Sequence, residues 1–276
     1  MDVQIALMLA QDGLTNGAIY ALLALALVLI FSVTRVIFIP QGEFVAFGAL
    51  TLAMLQAGKV PATVWLLVAM GAIVAAIDGL ARLRDRDTDG LASLLGWNLA
   101  YPLALAALLH AVEPGGLPMV LQIALTLAIL VPLGPMIYRI AYQPIAETSV
   151  LVLLIASVAV HLILTGLGLV FFGAEGARTA PFSEGSLNFG EVSINLQTLW
   201  VVGCSLAFIV GLAAFFTRSL YGKALRATAV NPSGAKLMGI SPVVAGKLTF
   251  LLAALLVSAR YIRFAPGDKE IGRAHV

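Results

Sequence analysis

Residues 217–243 have the sequence TRSLYGKALRATAVNPSGAKLMGISPV, and this stretch, called the basic loop below, decides how the rest of the chain is interpreted. It holds four cations and no acidic residue, and it lies between two strongly apolar segments. Loops rich in lysine and arginine remain on the cytoplasmic side of a membrane. The basic loop is therefore predicted to face the cytoplasm; its cations are Arg218, Lys223, Arg226 and Lys236.

The second half of the basic loop carries the signals of a short helix. Asn231 is a residue type that caps a helix N-terminus, and Pro232 suits the first helical position because its missing N–H would have no partner there. Gly239 can adopt the left-handed conformation that ends a helix. We expect a two-turn helix between Asn231 and Gly239 at the inner membrane face. A loop that is only positively charged would explain the cations, but it would not require these caps.

The composition indicates an integral membrane protein. Hydrophobic residues make up 61% of the 276 residues, charged residues make up 11%, and the mean hydropathy is +1.03. This is more apolar surface than a soluble core of this length could bury. The single cysteine, Cys204, excludes an intrachain disulfide. The net charge of +2, without a basic patch interleaved with aromatic residues, predicts no nucleic-acid partner.

The apolar segments predict the fold class. A helix needs about 20 apolar residues to cross about 30 Å of hydrocarbon. Eight segments approach that length, so the sequence predicts an all-α fold, a polytopic transmembrane helical bundle of about eight spans. The second segment is interrupted by Pro40, Gln41 and Gly42, and only part of it is expected to cross, as a re-entrant element. The segments are approximately 5–32, 36–56, 61–80, 91–112, 117–137, 149–172, 198–216 and 243–257.

The charges of the connecting loops predict the orientation. If the eight spans alternate and the basic loop lies inside, only Lys59 and Arg178 fall on outer loops, against nine cations on inner loops. This arrangement places the N-terminus and the loop 173–197 outside. The inner cations are Arg35, Arg82, Arg84, Arg86, Arg139, Arg218, Lys223, Arg226 and Lys236.

Three blocks of the sequence carry a family resemblance. They are GLTNGAIYALLALALVLIFSVTRVI at 13–37, QGEFVAFGA at 41–49 and GKALRATAVNPSGAKLMGI at 222–240. In this order and spacing they resemble the first helix, the following turn and the cytoplasmic coupling loop of the branched-chain amino acid ABC importer permeases of the LivH type. The similarity covers most of residues 10–257. We interpret residues 1–257 as one transmembrane permease domain with a coupling loop at 217–243.

The resemblance implies a function and a set of partners. The chain would be the permease subunit of an ATP-driven importer, in the bacterial inner membrane, that moves branched-chain or related small amino acids by alternating access. It would pair with a second permease subunit, two cytoplasmic ATPase subunits and an extracytoplasmic solute-binding protein. Amides, urea and other amino-acid-like solutes remain open as substrates.

The same resemblance assigns the helix of the basic loop to contact with the ATPase. The sequence departs from the family in two places. Gln41 stands where a histidine is common in the family. In the basic loop, Ser233, Gly234 and Ala235 stand where many coupling loops carry an acidic residue and two alanines. The first departure weakens the case for proton chemistry at that turn, and the second leaves the contact to shape and to Lys236. The coupling residues implied are Arg226, Asn231, Pro232, Ser233, Gly234, Ala235, Lys236, Leu237, Met238 and Gly239.

No catalytic or metal site is predicted in the chain itself. Gly222-Lys223 is followed by Ala224 and lacks the earlier glycine of a phosphate-binding loop, so ATP and Mg²⁺ are expected on the partner ATPase and no cofactor on this chain. The three histidines, His110, His161 and His275, are isolated in sequence.

Polar residues at membrane depth are the candidates for a substrate path, because each is costly unless it faces protein or water. For Asn16 an interhelical hydrogen bond beside the motif Gly13-x-x-x-Gly17 is an equal alternative. For Glu43 the alternative is stabilisation by the positive end of a helix dipole. His161 is expected to be a buried hydrogen-bonding residue, and Lys247 is expected to extend to the inner surface. The path candidates are Asn16, Tyr20, Gln41, Gly42 and Glu43.

Two rival functions remain open. A secondary transporter or channel driven by an ion gradient would need several intramembrane acids, whereas Asp12, Glu43 and Asp78 are the only acids within the predicted spans and all lie towards segment ends. A structural membrane scaffold is the third alternative.

The C-terminal tail, residues 258–276, does not resemble the family. Its last seven residues, EIGRAHV, match the translation of GAGATCGGAAGAGCACACGTC, which resembles a sequencing-library adapter. The family's chains continue with further spans, so we interpret 270–276 as adapter read-through, 258–269 as either native or frame-shifted, and the chain as truncated at its C-terminus. A genuine basic tail is the alternative.

Overall fold

The computed structural model describes residues 3–84, 90–173, 186–189 and 192–258. Almost all of these residues are helical, so the predicted all-α membrane bundle is confirmed. The only strands in these ranges, β1 and β2, form a short antiparallel hairpin in the predicted outer loop. The elements are α1 (Val3–Thr34), α2 (Gln41–Gln56), α3 (Thr63–Arg84), α4 (Leu91–Ala111), α5 (Met119–Ile145), α6 (Val150–Phe172), β1 (Ser186–Phe189), β2 (Val192–Asn195), α7 (Leu196–Arg218), α8 (Leu220–Val230), α9 (Pro232–Leu237) and α10 (Pro242–Ser258).

The helices coincide with the eight predicted segments. Six helices, α1 and α3 to α7, are long and apolar enough to cross a membrane. The other two, α2 and α10, have 16 and 17 residues. At 1.5 Å per residue α2 is about 24 Å long, less than the hydrocarbon thickness. It follows a non-helical stretch, residues 35–40, so residues 35–56 form a discontinuous span rather than one regular helix.

The centre of the bundle is built by α2, α5 and α10, which pack against one another. Phe250 of α10 is buried in contact with three aromatic rings; its ring centroid lies 5.1 Å from Phe38, 5.1 Å from Tyr138 and 5.4 Å from Tyr142. The backbones also approach closely, because a Cβ atom on Gly134 would collide with the carbonyl oxygen of Phe250. Lipid is as apolar as these side chains, so close packing of this kind holds membrane helices together.

Loops that the alternating topology assigns to the same side of the membrane are in contact with one another. On the side predicted to be outer, a Cβ atom on Gly115 would lie 3.1 Å from Cα of Gly58, so two outer loops are in contact. On the side predicted to be inner, Asp78 of α3 meets cations from α5 and α10. Both groupings join loops that the sequence assigned to the same side.

The motif Gly13-x-x-x-Gly17 of α1 does not pack as expected. Both glycines are exposed, and no described residue would lie within 4 Å of a Cβ atom added to either one. The hydroxyl of Thr15 donates to the carbonyl of Gln11 in the same helix, at 2.7 Å. Among the described residues, therefore, no helix packs closely on the two glycines themselves.

Candidate functional site

The discontinuous span places a break in the backbone between α1 and α2. α1 ends at Thr34, and Arg35 has a positive φ of 60°. α2 begins at Gln41, directly after Pro40, and no side chain caps its first turn. Glu43 lies in that first turn, where the helix dipole favours a negative charge. An interruption is present as predicted, but it lies at residues 35–40: Pro40 is its last residue, and Gln41 and Gly42 already belong to α2.

Glu43 meets His161 at the midpoint of α6. His161 lies halfway along α6, eleven residues from each end, and its Nδ1 is 2.7 Å from Oε1 of Glu43. The contact is close, but its angles are not those of a hydrogen bond. The side chain of His161 is 37% exposed, so the expectation of a buried hydrogen-bonding histidine is wrong. Sequence reasoning missed the pair because its members are far apart in the chain.

The polar atoms around the break are not all satisfied. Oε2 of Glu43 and Oε1 of Gln41 are buried, and neither accepts a hydrogen bond from a described residue. A buried acceptor without a donor is destabilising. Gly42, between them, is exposed. This break is therefore the part of the membrane region that is best prepared to receive a hydrogen-bond donor.

The other two candidates for the substrate path lie elsewhere. Asn16 and Tyr20 belong to α1, and both side chains are exposed, that of Tyr20 by 66%. α1 packs mainly against α7, α8 and α10 rather than against α2. The structure thus brings Gln41, Gly42 and Glu43 together at the break and leaves Asn16 and Tyr20 on a separate face.

The basic loop folds as two short helices, α8 and α9, and the predicted caps are present. The side chain of Asn231 accepts a hydrogen bond from N–H of Gly234 at 2.9 Å, and Pro232 is the first residue of α9. Gly239 has a φ of 82°. The N–H groups of Gly239 and Ile240 donate to the carbonyls of Lys236 and Ala235, the paired bonds of a Schellman motif. The prediction of a capped helix is confirmed.

The surface of α9 is apolar at its tip and basic beside it. Ala235 is buried against the bundle, whereas Leu237 and Met238 are 89% and 82% exposed. Lys236 and Arg226 are exposed nearby in the chain. Two large apolar side chains in a polar loop, free of any described neighbour that covers them, are typical of a protein contact surface.

Asp78 connects three helices at the predicted inner side. Nε and a terminal nitrogen of Arg139 lie 2.6 Å and 2.5 Å from Oδ1 of Asp78. Nζ of Lys247 lies 3.9 Å from Oδ2, so Lys247 extends towards Asp78 and not only towards the surface. The sequence analysis missed this cluster, although an acid near the end of an apolar segment was a signal that a basic partner would be nearby. Among the described residues no group of three or more His, Cys, Asp or Glu could hold a metal ion.

Comparison with known families decides the identity of the chain. The family described as branched-chain amino acid transport system / permease component matches residues 9–106 and 88–257. The chain belongs to this permease family. Both the break before α2 and the basic loop of the permease lie within the matched ranges.

The permease is similar to several characterised relatives. It is 24% identical over 257 residues to the high-affinity branched-chain amino acid transport system permease protein LivH of Salmonella typhimurium and 23% identical to LivH of Escherichia coli K12. It is also 23% identical over 259 residues to BraD of Pseudomonas aeruginosa. Each comparison covers 90% of this permease and 66% of the relative, just under two thirds of the relatives' length. No solved structure matches the chain.

Proposed function

We propose that this permease is the membrane-spanning subunit of an ATP-driven importer in the bacterial inner membrane. Its solutes are branched-chain amino acids or related small amino acids, which cross by alternating access. A second permease subunit, two cytoplasmic ATPase subunits and an extracytoplasmic binding protein complete the importer. The names of the similar relatives support the class of solute, and membership of the family supports the role in transport.

The observation that carries this proposal is the exposed tip of α9. Leu237 and Met238 are held in place by a helix that is capped at both ends, so the tip is a defined shape rather than a mobile loop. An ATPase cleft lined with apolar side chains would remove both residues from water, which is favourable. Lys236 beside them would favour an acidic rim on that cleft.

A continuous path of contacts leads from α9 to the break. α9 is joined to α10 by four residues, and Phe250 of α10 packs on Phe38 in the non-helical stretch before α2. Closure of the ATPases would move α9, and α10 would transmit that movement to Phe38 and thus to residues 41–43. This path supports alternating access as the mechanism.

The charge of the basic loop supports the proposed orientation, in which this loop faces the cytoplasm and the N-terminus lies outside. The loop carries four cations without an acid. The Asp78 cluster joins the ends of α3 and α5 to the start of α10, all of which the sequence assigns to the same inner side.

Reconstitution with the ATPase subunits tests the proposal. The variant with Leu237→Glu and Met238→Glu should bind the ATPases at least about tenfold more weakly, because two apolar anchors become charged. It should remain folded, since neither side chain packs against the bundle. Val112→Glu, at the opposite predicted side, is the matched control and should leave binding unchanged. Unchanged ATPase binding by the α9 variant would exclude α9 as the coupling helix.

The Glu43–His161 pair is the one observation that favours an ion-driven secondary transporter, since ionisable pairs at mid-membrane occur in proton relays. The two functions differ in what drives uptake. In proteoliposomes the importer takes up leucine only with ATPases and ATP. Uptake by the permease alone, driven by a proton or sodium gradient, would support the carrier instead.

A further inference from the structure

The Glu43–His161 pair lies at the surface of the bundle rather than in its core. His161 is at the midpoint of α6 and is partly exposed, and the side chain of Glu43 is 16% exposed. Thr165, one turn further along α6, is exposed as well. Ionisable groups at this depth are costly against lipid, so they face protein or a water-filled path.

We propose that Glu43, held in place by His161, binds the ammonium group of the transported solute. This inference depends on the proposed function, because it assumes that the solute is an amino acid. Oε1 of Glu43 contacts His161, whereas Oε2 is buried and lacks a donor among the described residues. An ammonium group has three N–H donors and the complementary charge, and hydrogen bonds between charged groups are stronger than neutral ones.

A helix-dipole role for Glu43 does not account for this arrangement. The dipole of α2 would stabilise the carboxylate wherever the first turn pointed. It gives no reason for a histidine at the midpoint of a different helix, α6, to approach the same carboxylate within 2.7 Å. A second polar residue at mid-membrane carries its own desolvation cost, so the pair is better explained by binding than by the dipole alone.

A small apolar cavity is lined by residues that are close to the pair in the chain. Phe44 follows Glu43 directly, Phe47 lies one turn further along α2, and Leu164 lies three residues after His161; all three line the cavity. Its volume is about 10 Å³, enough for one water molecule. An aliphatic side chain would enter only if α2 and α6 separated. The apolar lining is the surface that an aliphatic side chain would contact if the cavity widened.

Cysteine labelling of the permease in nanodiscs tests the proposal. Cys204→Ser removes the single native thiol, and Thr165→Cys then places one thiol beside the pair. The thiol should react with a water-soluble methanethiosulfonate reagent. Leucine and 3-methylbutylamine, which carry an ammonium group, should slow the reaction, whereas 4-methylpentanoate should not. Leu162→Cys, on an apolar exposed part of the same helix, is the matched control and should remain unreactive.

Substitution of Glu43 separates binding from structure. Glu43→Gln should weaken the protection by leucine at least about tenfold, and Glu43→Asp should retain part of it. The rate of labelling without solute should stay the same in both variants, which shows that the fold is intact. An unreactive Thr165→Cys, equal protection by 4-methylpentanoate, or full protection in Glu43→Gln would each overturn the proposal.

The two proposals fail in different ways. If ATP-driven uptake of leucine occurs but Glu43→Gln leaves it unchanged, the binding site is wrong and the importer stands. If leucine protects Thr165→Cys but no ATP-driven uptake occurs with the ATPases present, the importer is wrong and the binding site stands.

Discussion

At the scale of single residues, Asp78 is the clearest example of a side chain whose environment the structure explains. It receives two close contacts from Arg139 and a longer one from Lys247, and Asp78 and Arg139 are both mostly buried. Removal of one partner from a buried ion pair leaves an uncompensated charge, whereas a long and exposed ion pair contributes little. The contact of Asp78 with Arg139 should therefore contribute much more to the free energy of unfolding than its contact with Lys247.

This difference can be measured. Asp78→Asn should lower the free energy of unfolding by about 2–3 kcal/mol, because Arg139 loses its counter-charge. Lys247→Met should lower it by less than about 1 kcal/mol, because Nζ is 3.9 Å away and partly exposed. Thermal unfolding of both variants in the same detergent compares the two costs. Equal losses would show that Lys247, and not only Arg139, depends on Asp78.

The caps of α9 are a second prediction at this scale. Asn231→Ala removes an N-cap worth about 1 kcal/mol, and Gly239→Ala forces a φ of 82° on a residue with a Cβ atom, at a cost of about 1 kcal/mol. Both changes should speed hydrogen exchange in α9 without altering the melting temperature of the bundle. Ser233→Ala, in the same helix but outside the caps, is the control. If the amides of α9 exchange as slowly in both cap variants as in the unchanged protein, the caps do not stabilise this helix.

Local rules explain why these caps were predictable and the ion pair was not. Asn231, Pro232 and Gly239 act on neighbours within a few residues, so their effect can be inferred from the sequence alone. Asp78 and Arg139 lie 61 residues apart, and only the packing of α3 on α5 brings them together.

At the scale of the elements, the packing of α5 on α10 depends on Gly134. A Cβ atom there would collide with the backbone of Phe250, which cannot move without shifting α10. Gly134→Ala should therefore destabilise the bundle by about 1–3 kcal/mol. Gly203→Ala in α7, where nothing lies within 4 Å, should instead stabilise the helix by about 0.5–1 kcal/mol. Thermal unfolding compares the two variants, and a stable Gly134→Ala variant would show that α5 and α10 can separate.

The break before α2 was predictable, but its depth was not. Pro40 favours a break in a helical pattern by local chemistry, whereas Gly42 lies within α2. The position of the break beside the midpoint of α6 follows only from the contact of Glu43 with His161. The same contact makes His161 part of the site. The sequence did not indicate this, because His161 is isolated in an apolar segment.

At the scale of the whole molecule, the loops are predicted to form two groups at opposite ends of the bundle. Residues near Gly58 and Gly115 contact each other at one end, and the basic loop lies at the other. Lys59→Cys and Glu113→Cys, each combined with Cys204→Ser, should react with a membrane-impermeant maleimide in spheroplasts. Lys236→Cys should react only after the membrane is opened. Reaction of Lys59→Cys and Glu113→Cys from different sides would contradict the packing of these loops.

The discontinuous span also has a consequence for the synthesis of the protein. Between Arg35 and Pro40 the backbone is not helical, and in lipid backbone groups without helical partners need protein around them. Phe250, which covers Phe38, is made 212 residues later, roughly 10–40 s afterwards at bacterial rates of translation. Residues 35–40 must therefore wait in a watery or assisted environment until α10 is made. A ribosome-bound chain that stops before Pro242 should expose them to protease, and the released chain should protect them.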